Sequence, residues 1–197
     1  MTFELFAPLS VFALVSSITP GPNNLMLMAS GVNFGALRTV PHALGVCVGF
    51  TVMVGLVGLG LMRVFDAIPY SHDILKVVSS LYLLYLAYKL ATTQSLGGAG
   101  ASGTPMTFWQ AAVFQWVNPK AWTMALTAMT VYAGDGSLQV VLLITLVFGL
   151  VNAPSISVWV VAGERLRQFL STPTRMRGFN LLMAALLVAS LYPVLTH

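Results

Sequence analysis

Two stretches of this chain combine residues that break helices with residues that bind polar solutes. The first is Thr19-Pro20-Gly21-Pro22-Asn23-Asn24 and the second is Gln115-Trp116-Val117-Asn118-Pro119-Lys120-Ala121-Trp122, each inside a long apolar run. Two prolines remove two backbone donors and clash with the preceding turn, and Gly21 adds backbone freedom. In lipid, every freed carbonyl costs several kcal/mol unless something pairs with it. Asn23 and Asn24 carry donors and acceptors for that purpose. A single proline would suffice for a tolerated kink, and the density of this motif exceeds what a kink needs. In the second stretch Lys120 lies twelve residues from both Phe108 and Tyr132, roughly 18 Å from either end of the run. A lysine at that depth costs about 2.5–3.5 kcal/mol or more and predicts a functional site. The plainer alternative is a helix that breaks at Pro119 and lets Lys120 reach a water-filled opening, which still requires a cavity.

Further polar positions extend the set. Asn152-Ala153-Pro154-Ser155 reads as a third polar break. His42 follows Pro41 near a helix start, where it is either a site residue or an interfacial cap. The candidate translocation residues are therefore Pro20, Gly21, Pro22, Asn23, Asn24, His42, Asn118, Pro119, Lys120, Asn152 and Pro154. Gly45 and Gly49 are spaced for close helix packing. Whether their partner is internal or a second protomer in a homodimer stays open at this level. Trp109 sits at a helix end and reads as an interfacial anchor; Trp116 and Trp122 flank the second break and line either a cavity or the lipid.

The elements that must position these residues are transmembrane helices. Of 197 residues, 57% are apolar and 7% are charged, against roughly 25% charged in an average soluble domain. Six apolar segments follow, at about Leu5–Met28, Val40–Met62, Ile74–Leu90, Phe108–Tyr132, Leu138–Ala162 and Phe179–Leu195. Residues 93–107 have the composition of a flexible linker. They divide a single transmembrane domain, 1–197, into halves 1–92 and 108–197. Each half opens with a broken helix and holds an odd number of spans. This predicts an all-α fold of two inverted three-helix repeats, with helices 1 and 4 broken at the midplane. Half-helix N-termini there offer free N–H groups to a carboxylate.

The net charge of +4 is explained by topology rather than by nucleic acid. Arg38, Lys89, Arg165, Arg167, Arg175 and Arg177 fall in loops one, three and five, and Arg63 and Lys76 on the other side. The positive-inside rule then puts both termini outside. The first run carries Glu4 and no leading basic residue, unlike a cleaved signal, and is read as a retained helix. The lone Cys47 forms no internal disulfide.

At these motifs the sequence resembles the LysE/RhtB family of bacterial amino-acid exporters. The likeness covers essentially the whole chain and rests on Thr19 to Asn24, Gly31 to Gly35 before Arg38, Gly45 to Phe50, and Asn118-Pro119-Lys120. It implies a multi-pass protein of the bacterial inner membrane, exporting small amino acids or derivatives by the proton-motive force, with protons as coupling ion and no cofactor. The branch most similar in look exports cysteine and O-acetylserine. Many members carry an acid in the fifth helix, where this chain has Asn152, and no Asp or Glu lies in the middle of any segment. Coupling must then use Lys120, His42, an edge acid or the solute's own protons. Two alternatives are a divalent metal-ion exporter, which would need clustered His, Cys or carboxylate ligands, and a passive channel. No hydrolase or metalloprotease motif supports an enzyme.

Overall fold

The computed structural model describes residues 3–93, 103–134 and 136–196, and no strand occurs among them. The chain begins with α1 (Phe3–Ile18) and α2 (Pro22–Phe34), which meet at the Pro-Gly-Pro break with a bend of 52°. It continues through α3 (Ala36–Gly58), the short α4 (Leu61–Asp66) and α5 (Ser71–Ala91). Then follow α6 (Phe108–Phe114), a 3-10 turn (Gln115–Val117) and α7 (Pro119–Tyr132). Last come α8 (Leu138–Arg167), α9 (Pro173–Ala189) and α10 (Tyr192–Thr196).

Three helices, α3, α5 and α8, are long and apolar enough to cross a membrane, and the bent α1–α2 pair is a fourth if it acts as one span. The six apolar segments of the sequence overlap α1–α2, α3, α5, α6–α7, α8 and α9. Two boundaries differ from expectation. The first segment extends past Met28 to Phe34, and Gly35, at φ 84°, turns the chain directly into α3. That conformation suits glycine, and it shrinks the expected first loop to one residue. Arg38 therefore sits in the first turn of α3. Of the expected linker, residues 94–102 lie outside the described residues. Its end is sharp: Thr107 Oγ1 accepts from Gln110 N, and Gln110 Oε1 accepts from Thr107 N, a reciprocal cap on α6.

The third expected break is not one. Helix α8 runs unbroken through Pro154, whose ring faces outward. One proline deletes a single ladder bond, and a thirty-residue helix carries that loss. At the first break two prolines act together around an extended Gly21.

Helix α8 is the hub and packs on α1, α2, α3 and α7, while α5 packs on α9 and α3 on α6. Interhelical polar contacts gather the charged ends. Asn33 and Asn180 exchange amide hydrogen bonds of 2.8 and 3.2 Å, and Asn180 Nδ2 also donates to Thr93 O. Ala36 N donates to Glu164 Oε1 at 3.3 Å. The termini bearing Arg38, Lys89, Arg165 and Arg167 thus share one end of the bundle. Asp66, at the end of α4, and His72, in the first turn of α5, pair at 2.8 Å on the exposed surface.

The glycine pair on α3 has an internal partner, α6. A Cβ on Gly49 would lie 2.6 Å from Ala112 Cα, and one on Gly45 would lie 2.8 Å from Ala111 Cβ. Backbone cannot yield as a flexible side chain does, so overpacking here costs about 1–3 kcal/mol. Gly49→Val is expected to lower the thermal unfolding midpoint in detergent. Gly55→Ala, whose added Cβ meets only Thr145 at 3.5 Å, is expected to leave it unchanged. Equal midpoints for the two variants would show that α3 and α6 do not depend on this close approach.

Candidate functional site

The first break leaves carbonyls at the end of α1 without helical partners, and side chains at the break and on other helices supply donors to them. Thr19 Oγ1 donates to Ser16 O at 3.1 Å. Asn24 Nδ2 donates to both Ser17 O and Thr19 O, each at 2.8 Å. Trp159 Nε1, from α8, donates to Ile18 O at 3.0 Å. Lys120 Nζ, from α7, donates to Thr19 O at 2.6 Å, Thr19 Oγ1 at 2.9 Å and Pro20 O at 3.3 Å. Three acceptors match the three donors of an ammonium. The charge lies at a helix C-terminus, where the backbone dipole favours cations.

The second break is organised the same way. Asn118 closes the 3-10 turn in an extended conformation and caps α7, its Oδ1 accepting from Lys120 N at 3.2 Å. Pro119 takes the first helical position, where a missing N–H costs nothing. Trp122 Nε1 donates back to Trp116 O at 2.9 Å. The two indoles pack edge to face at 6.2 Å and Trp122 also contacts Phe65, so they brace the break and do not line the cleft. The two breaks are tied by a reciprocal amide pair, Asn23 Nδ2 to Gln115 Oε1 at 2.8 Å and Gln115 Nε2 to Asn23 Oδ1 at 3.1 Å.

Between the breaks lies a partly open cleft with about 300 Å³ of unfilled space, the opening included. Its walls bring together Gly21, Asn23, Asn24, Asn118, Lys120 and Asn152 of the expected set, with Ser16, Ser17, Phe50, Ala121 and Met124. The N-termini of α2 and α7 border it, as does the C-terminus of α1. Two polar atoms on its wall are buried without partners among the described residues, Ser17 Oγ and Asn152 Nδ2. Such orphans are rare and call for an explanation. The free space between the side chains holds only a water or two, so an incoming solute must displace the Lys120 chain. Gly21 is the reason Lys120 fits: a Cβ there would stand 2.5 Å from Lys120 Cδ. Its φ of −177° is extended backbone open to any residue, so the constraint is space alone.

Four expected residues lie differently. Pro20 contributes its carbonyl and Pro22 only the first position of α2. Pro154 faces away from the cleft. His42 is not an interfacial cap but is buried two turns into α3, at 1% exposure, on the wall of a second cavity. Sequence reasoning missed the roles of Ser17, Gln115 and Trp159. The available signal was a polar residue one turn from each break, in Ser17 before Pro20 and Gln115 before Asn118. Among the described residues, no three His, Cys, Asp or Glu side chains gather as a metal site would require.

Comparison with known proteins gives a consistent set of relatives. The sequence model of a family described as LysE type translocator matches residues 14–190. The cysteine/O-acetylserine efflux protein of Escherichia coli (strain K12) is 25% identical over 192 residues, covering 95% of this chain and 96% of the relative. The protein of the same name from Shigella sonnei (strain Ss046) is similar to the same extent. No solved structure matches.

Proposed function

Because the chain belongs to the LysE type translocator family, we propose that it exports small amino acids or close derivatives from the cytoplasm across the bacterial inner membrane, driven by the proton-motive force. Membership makes it a multi-pass membrane transporter rather than an enzyme. Cysteine and O-acetylserine, named for its relatives, are the first solutes to test. The observation that carries the reading is the Lys120 ammonium resting on the carbonyls of Thr19 and Pro20, in a cleft bordered by two half-helix N-termini.

A zwitterion matches this arrangement at both ends. Its ammonium takes the α1 carbonyls that Lys120 otherwise holds. Its carboxylate then meets Lys120, Asn152 Nδ2, Ser17 Oγ and the N-termini of α2 and α7. Proton coupling follows if the displaced Lys120 charge, or the solute's own proton, determines which cleft reloads on the far side. The six apolar segments then cross the membrane as two inverted halves, α1–α2 with α3 and α5, and α6–α7 with α8 and α9. The basic end faces the cytoplasm and both termini lie outside. Among the described residues, no cluster of His, Cys, Asp or Glu favours a metal-ion cargo.

Purified protein in proteoliposomes, loaded with labelled O-acetylserine or cysteine, tests the reading. Efflux is expected to need an imposed proton gradient and to collapse with an uncoupler. Efflux unaffected by the uncoupler would instead mean a passive channel. A sharper probe of the cleft is Gly21→Leu. The side chain enters the space of Lys120 from an extended backbone that any residue adopts, so transport is expected to fall at least tenfold at temperatures where the variant remains folded. A variant that transports normally would remove the cleft from the path.

A further inference from the structure

We propose that the second cavity, walled by His42, is a separate subsite for a small carboxylate-bearing solute on the same route as the Lys120 cleft; this rests on the transport reading above. The cavity, partly open to the outside and with about 510 Å³ of unfilled space counting that opening, lies at the basic end of the bundle between α2, α3, α5 and residues 103–106. His42 is buried to 1% exposure, and both its ring nitrogens lack a partner among the described residues. An imidazole always carries at least one N–H, and an unpaired buried donor or acceptor costs about 1–3 kcal/mol. A core histidine with no further task would pair at least one nitrogen. The unpaired ring on the cavity wall is what a ligand's polar group would satisfy.

The charge of the cavity selects the group. Lys89 is exposed on its wall, and no acid is among its lining residues. Of the other polar side chains on the wall, Ser30 bonds to Thr39, Asn33 to Ala29 and Asn180, and Thr93 to Lys89 O, while Thr104 stands exposed at the rim. An anionic head therefore has two takers, Lys89 and the His42 N–H, while Met26, Leu86 and Met106 face an apolar tail. The two cavities share a wall. On α2 the spacing of Asn23, Met26, Ser30 and Asn33 puts them on one face. Asn23 lines the Lys120 cleft, and the other three line the His42 cavity. A solute moving along that face passes from one subsite to the other beside the Asn23–Gln115 pair.

Equilibrium binding of radiolabelled O-acetylserine to the purified full chain tests this. The wild type is expected to bind two molecules per chain, Lys120→Ala one, His42→Phe one, and the double variant none. Thr104→Trp, an exposed rim position that leaves the core intact, is expected to match His42→Phe and covers a folding failure of that variant. One molecule per chain in the wild type, lost in Lys120→Ala and kept in both His42→Phe and Thr104→Trp, overturns the second subsite and leaves the transport reading standing. No binding of either O-acetylserine or cysteine by the wild type overturns both.

Discussion

Lys120→Ala is expected to lower export in proteoliposomes about 10- to 100-fold. The side chain makes three hydrogen bonds to the α1 terminus, and charged hydrogen bonds contribute roughly 1.5–3 kcal/mol each, which converts to about that range for one bond lost to the solute. The alanine variant has two effects at once, because it also strips donors from the Thr19 and Pro20 carbonyls. Lys120→Gln separates them. Its amide still donates to one carbonyl but carries no charge to meet a carboxylate. We expect Lys120→Gln to unfold close to the wild-type temperature and to export as poorly as Lys120→Ala. If Lys120→Gln exports normally, Lys120 is a structural cap and the charge has no part in solute binding.

The breaks were legible in the sequence because proline chemistry is local. Pro20, Pro22 and Pro119 act on their own turn whatever surrounds them, and the structure interrupts the backbone at both places. The depth of Lys120 was legible by counting along one run. Its partners were not, because Thr19 lies a hundred residues away and only the packing of α7 on α1 brings them together. Pro154 shows the limit of the local argument. The same residue type that breaks α1 from α2 leaves α8 intact, since one missing N–H in a long packed helix is a small loss. His42 shows another limit: six residues from the start of α3 it looked interfacial, but the one-residue joint at Gly35 and the cover of α2 and α5 bury it.

The absence of a midplane acid, which the family resemblance made a puzzle, has a structural counterpart. Glu164, Asp66 and Asp73 all lie at helix ends or loops. In the cleft the negative end is backbone: the C-terminus of α1 carries roughly half an elementary charge and already holds an ammonium. Carbonyl oxygens thus do here what a carboxylate would do elsewhere, binding a cation without titrating. Asn152, where the family resemblance implied an acid, offers a donor without a partner among the described residues, which suits a carboxylate. The site is then polarised by helix ends and one lysine.

That arrangement depends on Asn24, and Asn24→Leu is expected to give the largest stability loss of any single substitution at the break. One Nδ2 group serves both Ser17 O and Thr19 O, at 2.8 Å each, and the residue is buried at 3% exposure. Leucine removes both bonds at once. An unpaired buried carbonyl costs about 1–3 kcal/mol, and Lys120 remains for Thr19 O alone, so the expected loss is about 1–4 kcal/mol. Asn23→Leu, next in sequence, breaks the amide pair and strips one acceptor, Gln115 Oε1, while Gln115 Nε2 keeps its bond to Ala111 O. Thermal unfolding in detergent should therefore rank wild type above Asn23→Leu and Asn23→Leu above Asn24→Leu. Transport should respond differently: Asn24→Leu, with its α1 terminus loosened, is expected to lose export even at temperatures where it remains folded. An Asn24→Leu protein as stable as Asn23→Leu would mean that water, not Asn24, satisfies the broken end of α1, and that the cleft is wetter than its walls imply.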